Sequence, residues 1–131
     1  MTARPFRAAA IALFAGLSAC SAADPQEASE RIRVFHAAFN DGRIGTIAAM
    51  TAPAFRAGAT PFLGKVRVKL GRVVHARQVN WRVNYGTGGV TTVIQQATEF
   101  EHGKGQETFV FVEQGGTLLL NGYNLNSADL I

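Results

Sequence analysis

Few side chains in this chain could do chemistry, and they are scattered along it. A carboxylate or histidine beside an apolar wall becomes a general acid or base once burial shifts its pKa. The residues to weigh are His36, Glu99, Glu101, Glu107 and Tyr123. His36 lies beside Phe35 and Phe39 and reads as a satisfied helix histidine. Glu101 and Glu107 flank a glycine turn, where exposed carboxylates or pairs with Lys104 or Arg82 are expected. No motif sets two of these residues at catalytic spacing, so no catalytic residue is assigned. His36, His75 and His102 are far apart in the sequence, and no CxxC or i, i+4 histidine pair occurs, so no metal site is expected. There is no GxxxxGK, GxSxG or dinucleotide fingerprint, and no cofactor is expected. Gly86 to Gly89 and Gly103 to Gly105 fall between strand-like runs and read as turns.

The remaining reactive side chain, Cys20, is the one cysteine of the chain. The residues before it have the form of a secretory signal: Arg4 and Arg7, then an apolar run from Ala8 to Ala19. A membrane-spanning helix needs about 20 apolar residues, so the run is too short to span and reads as cleaved. A lone thiol in an oxidising compartment has no intrachain disulfide partner. Leu17-Ser18-Ala19-Cys20 resembles the lipobox of bacterial lipoprotein precursors. That resemblance implies acylation of Cys20, with palmitate among the chains, cleavage before it, and anchoring to a membrane. Two or more acyl chains anchor stably where one does not. Ser21 follows the cysteine where an Asp would retain the protein at the inner membrane. The resemblance therefore implies an outer-membrane protein facing the periplasm. Ser21 to Ala23 form a tether of little more than about 10 Å, which keeps the domain near the headgroups.

Charge adds little. Thirteen basic and nine acidic residues give +4; without Arg4 and Arg7 the balance is eleven to nine, or +2. Lys65, Arg67, Lys69, Arg72, His75, Arg77 and Arg82 concentrate positive charge in one stretch. Export removes the domain from nucleic acid, which leaves a solvated face or anionic headgroups as the reading of that stretch.

The length, 131 residues with 47% apolar, suits one exported domain from Asp24 to Ile131. Asp24-Pro25 is a cap followed by proline at the first helical position. Ala28, Ile32, Phe35 and Phe39 recur at helical spacing, and Asn40-Asp41-Gly42 ends the helix. A weaker helical stretch covers Ile44 to Met50. Thr60-Pro61 predicts the start of a third helix that carries Phe62, Val66 and Leu70 and ends at Gly71. The period then becomes two. Val79, Trp81, Val83 and Tyr85 alternate with Gln78, Asn80, Arg82 and Asn84. Val90 to Glu101, Thr108 to Val112 and Leu118 to Leu125 complete four strands joined by glycine turns. Helices followed by a strand meander predict an α+β fold, with the N-terminal helices packed on one face of a curved four-stranded antiparallel sheet.

Leu70-Gly71, Thr98-Glu99-Phe100-Glu101, Glu107-Thr108-Phe109 and Gly122-Tyr123 lie in this order around the turns. Over roughly residues 28–127 the chain resembles uncharacterised bacterial domains of the cystatin-like, or nuclear transport factor 2-like, cone. The resemblance implies a small secreted or membrane-tethered domain, in a family mostly without known activity.

The inner strands look apolar on both faces. Phe109 and Phe111 oppose Val110 and Val112, and Leu119, Tyr123 and Leu125 oppose Leu118 and Leu120. Strands covered on both sides read this way, whereas the helices can cover only one. The expectation is a non-catalytic domain holding a small apolar ligand, a protein partner or a second copy of itself, with Trp81, Phe109 and Tyr123 at the ligand site or interface. An envelope assembly factor using the sheet face is the alternative, and a cone-type lyase or isomerase is a further one.

Overall fold

The computed structural model describes residues 25–131. The signal, Cys20, the tether and the Asp24 cap lie outside the described residues. Helix α1 (Pro25–Asn40) is followed by α2 (Ile44–Ala49), α3 (Pro53–Leu70), and strands β1 (Val73–Gly86), β2 (Gly89–Phe100), β3 (Gly103–Gln114) and β4 (Thr117–Asn126). A 3-10 turn, Ala128–Leu130, closes the chain. The strands form an antiparallel meander in the order β1-β2-β3-β4, with the helices on one face, as the change of period predicts. Every core residue falls between Ala28 and Leu125.

Local chemistry accounts for most of the boundaries. Ala28, Ile32, Phe35, Ala38 and Phe39 form the buried stripe of α1, and Gly42 takes the left-handed conformation after it (φ 72°). The open carbonyls at the end of α1 are met from α3. Arg67 Nε donates to Phe39 O at 3.0 Å and Nη2 to Asn40 O at 2.8 Å. Asn40 in turn clamps the start of β1: Nδ2 donates to Val73 O at 3.0 Å, and Oδ1 accepts from Val73 N at 2.7 Å.

Two sequence expectations need correction. The third helix starts at Pro53, and Pro61 lies inside it. Pro61 forfeits one backbone hydrogen bond, but burial of Ala59, Leu63, Val66 and Leu70 on both sides of it carries the helix through. The second correction concerns β4. A register shift pairs Val110 with Gly122 but Phe111 with Leu120, which leaves Asn121 as an extra residue. The bulge restores parity, so Leu118, Leu120, Tyr123 and Leu125 share the helix side and only Leu119 opposes them.

The helix side of the sheet therefore holds Ile94, Phe100, Phe109, Phe111, Leu118, Leu120 and Leu125, packed against Ile32, Phe35, Phe39, Leu63, Val66 and Leu70. Each such large side chain contributes about 1.5–3 kcal/mol on burial. Phe35 is the centre of an aromatic cluster, edge-on to Phe109 at 5.0 Å and stacked with Tyr123 at 5.2 Å. The other face carries Val93, Val110, Val112 and Leu119 among polar neighbours and has no covering layer among the described residues. At the β4 edge, Ala52 N donates to Leu120 O and Leu120 N to Met50 O, so the link between α2 and α3 caps that edge.

Candidate functional site

One buried polar cluster interrupts the aromatic core. Glu107 has the same parity on β3 as Phe109 and Phe111, so it points at the helices and is 1% exposed. Its Oε1 accepts from Thr98 Oγ1 at 2.6 Å and from His36 Nε2 at 2.8 Å. Its Oε2 accepts from Tyr123 Oη at 2.6 Å. Thr98 comes from β2, Tyr123 from β4 and His36 from α1, so one carboxylate ties three strands and a helix together. Burial raises the phenol pKa of Tyr123 well above the ordinary 10.0; the negative charge of Glu107 and the hydrogen bond to it push the same way. The His36 ring is held edge-on between Phe35 at 5.8 Å and Phe109 at 5.9 Å.

This corrects the expectation that Glu107 is an exposed carboxylate or pairs with Lys104 or Arg82. Glu101 is the exposed carboxylate expected beside the turn, and its Oε1 accepts from the Arg72 backbone N–H at 2.8 Å. His36 is a satisfied helix histidine, as its position between Phe35 and Phe39 suggests. Among the described residues no three His, Cys, Asp or Glu side chains gather where a metal could bind. Three donors on one carboxylate, with apolar rings around them, make a structural knot.

Trp81, Phe109 and Tyr123 lie in one cross-strand row, Trp81↔Ile94↔Phe109↔Tyr123, all on the helix side. Phe109 and Tyr123 touch, with ring centroids 5.1 Å apart. Trp81 is separated from them by Ile94 and is 48% exposed. Phe109 is fully buried, so it is a core residue and not a pocket wall.

The concave surfaces lie elsewhere. A groove of about 520 Å³ lies at the end of the sheet, lined by His75, Arg77, Glu99, Lys104, Asn126 and Asp129 among others. A second, of about 1000 Å³, runs beside α3, with Phe62, Val68 and Leu130 as its apolar wall and Lys65 and Lys69 on its lining. Arg67 is withdrawn from the basic stretch by its role as the cap of α1. Among the described residues no helix is long and apolar enough to cross a membrane.

Comparison with protein-family models and with characterised proteins finds no match, so the functional reading rests on the residues and their geometry.

Proposed function

We propose that this chain is a lipoprotein of the bacterial cell envelope, acylated on Cys20 and held at the outer membrane facing the periplasm. Its domain acts by non-catalytic binding of a protein partner on the uncovered face of the sheet, in a fold of cystatin-like descent. The observation that carries this reading is that helices cover one face of the sheet and, among the described residues, nothing covers the other. Two of the cross-strand rows on that face are Arg82-Val93-Val110-Gly122 and Asn80-Gln95-Thr108-Asn124. A narrow apolar strip beside hydrogen-bonding side chains is compatible with a non-obligate protein interface, which is about as apolar as the rest of a protein surface. The interior offers less to a reactant, because Glu107, the buried carboxylate, is already engaged by three donors.

Two measurements test the proposal. Cys20→Ser should abolish palmitate incorporation and leave the precursor uncut; labelling that persists in the variant refutes the anchor. A photo-crosslinking residue at Thr108 should capture a defined protein in intact cells, and Val110→Lys should abolish the adduct without lowering the melting temperature. An adduct indifferent to Val110→Lys, or no adduct at all, refutes the sheet-face reading. A second reading, an apolar ligand, is favoured by the groove at Phe62, Val68 and Leu130. Binding of an apolar dye that is lost in Phe62→Glu would support it.

A further inference from the structure

The exposed aromatic residues of the β1–β2 hairpin have no function in the fold, and their position relative to the chain's N-terminal end suggests one. Helix α1 runs antiparallel alongside β1, pinned at two points. Asn40 clamps Val73, and Ser29 Oγ donates to Gln78 Oε1 at 3.0 Å. Between these points α1 rises about 16 Å at 1.5 Å per residue, and β1 rises about 16 Å at 3.3 Å per residue. The agreement shows that the two elements run side by side.

Beyond the second point they part. Only four residues separate Ser29 from Pro25, a rise of about 6 Å. The strand continues for eight residues from Gln78 to Gly86, about 26 Å less the shortening at the bulge. The hairpin thus projects roughly 15–20 Å past the start of α1. Trp81, Val83 and Tyr85 lie on the helix-side face of this projecting part, paired with Ile94, Thr92 and Val90. Among the described residues no helix extends over them, which explains why Trp81 is 48% and Tyr85 71% exposed. Val79, at the bulge, is exposed as well.

The same stretch is unusual in charge. Residues 79–96, which make up the projecting part, contain no Asp or Glu and carry one basic residue, Arg82; His75 and Arg77 lie on the other side of Gln78, where they line a groove with Glu99. The nearest carboxylate on the neighbouring strand is Glu113, one residue beyond the Val112↔Thr91 pair.

We infer that the projecting β1–β2 hairpin is a membrane-contacting element, with Trp81 and Tyr85 seated among the headgroups of an anionic bilayer. The inference rests on the acylation of Cys20 proposed above. The covalent path from Cys20 to Pro25 spans at most about 17 Å at 3.5 Å per residue. That reach is no longer than the projection of the hairpin, so with this end of the domain toward the bilayer the hairpin arrives at the surface with the anchor. Tryptophan and tyrosine suit the headgroup level, where an apolar ring and a polar tip are both satisfied. Arg82, on the opposite face of the same projecting strand, suits anionic lipid.

Trp81 is the one tryptophan of the chain and reports directly. The mature chain from Cys20, which keeps every core residue, is coupled through its thiol to a maleimide lipid in vesicles of phosphatidylglycerol and phosphatidylethanolamine. Chemical coupling makes the result independent of acylation in the cell, which palmitate labelling decides separately. Lipids brominated near the headgroup should at least halve Trp81 emission and shift it to the blue. A Trp81→Phe, Tyr85→Trp chain should be quenched as strongly, since that position lies nearer the tip. Emission from both positions that matches the uncoupled protein, with no quenching, would overturn the inference.

Discussion

Tyr123 Oη donates to Glu107 Oε2 across the β3–β4 pair, although the two residues are not cross-strand partners. Tyr123 faces Phe109, and Glu107 faces Leu125. The contact is therefore diagonal, a distance that only a long side chain covers. The bulge at Asn121 makes it possible, because without that extra residue Tyr123 would point away from the helices if Leu118 and Leu120 kept their places. His36 approaches the other carboxylate oxygen from above the sheet, so the position of α1 on the sheet is set by a hydrogen bond as well as by Phe35 and Phe39.

Removing the acceptor should be costly. Glu107→Ala leaves Tyr123, Thr98 and His36 without this acceptor in a largely buried site, and a loss of about 3 kcal/mol is expected in urea unfolding. Glu107→Gln keeps an accepting oxygen and should lose clearly less. Equal losses would mean that packing, and not the donors, matters at this position.

The phenol of Tyr123 links stability to alkaline pH. Its folded-state pKa lies above the 10.0 of the ordinary group, so its contribution is complete below pH 10 and is lost as the pH climbs toward the folded value. Unfolding free energy followed from pH 9 to 12 should fall less steeply in Tyr123→Phe. In a Tyr85→Phe background, phenolate absorbance should appear only well above pH 10 or with unfolding itself.

Thr92 offers a stabilising change. Its hydroxyl is buried on the helix side of β2 and has no hydrogen-bond partner among the described residues, which costs about 1–3 kcal/mol. Valine has nearly the same shape without the polar atom. Thr92→Val should stabilise the domain by about 1 kcal/mol, a rise of roughly 4–8 °C in Tm for a domain of this size. A lower Tm would indicate that the hydroxyl is satisfied in solution.

Asn40→Ala removes both hydrogen bonds that tie α1 to Val73. At about 0.5–1.5 kcal/mol each, the loss should approach 2 kcal/mol. Faster hydrogen exchange should appear first at the Val73 amide. Asn40→Asp should recover part of the loss, since it restores the acceptor for Val73 N but not the donor.

What the sequence determined by itself was local. The stripe of Ala28, Ile32, Phe35 and Phe39, the change of period after Gly71 and the glycine turns specify three helices and a four-stranded meander, because helix and strand periodicity are properties of neighbouring residues. A signal for Glu107 was also present: counting back by two from Phe111 and Phe109 places it on the apolar face. The nearby glycine turn outweighed that count, since carboxylates beside turns are usually wet. The tertiary structure decided the rest. His36 and Glu107 are 71 residues apart, and no short-range pattern can report that their side chains meet. The bulge at Asn121 reversed the facing of half of β4, because strand parity depends on register with the neighbouring strand. Pro61 stayed within a helix because buried side chains on either side outweighed one missing hydrogen bond. Trp81, apolar by pattern, is left exposed because α1 ends at its level, which depends on how a helix of 1.5 Å per residue and a strand of 3.3 Å per residue are laid side by side.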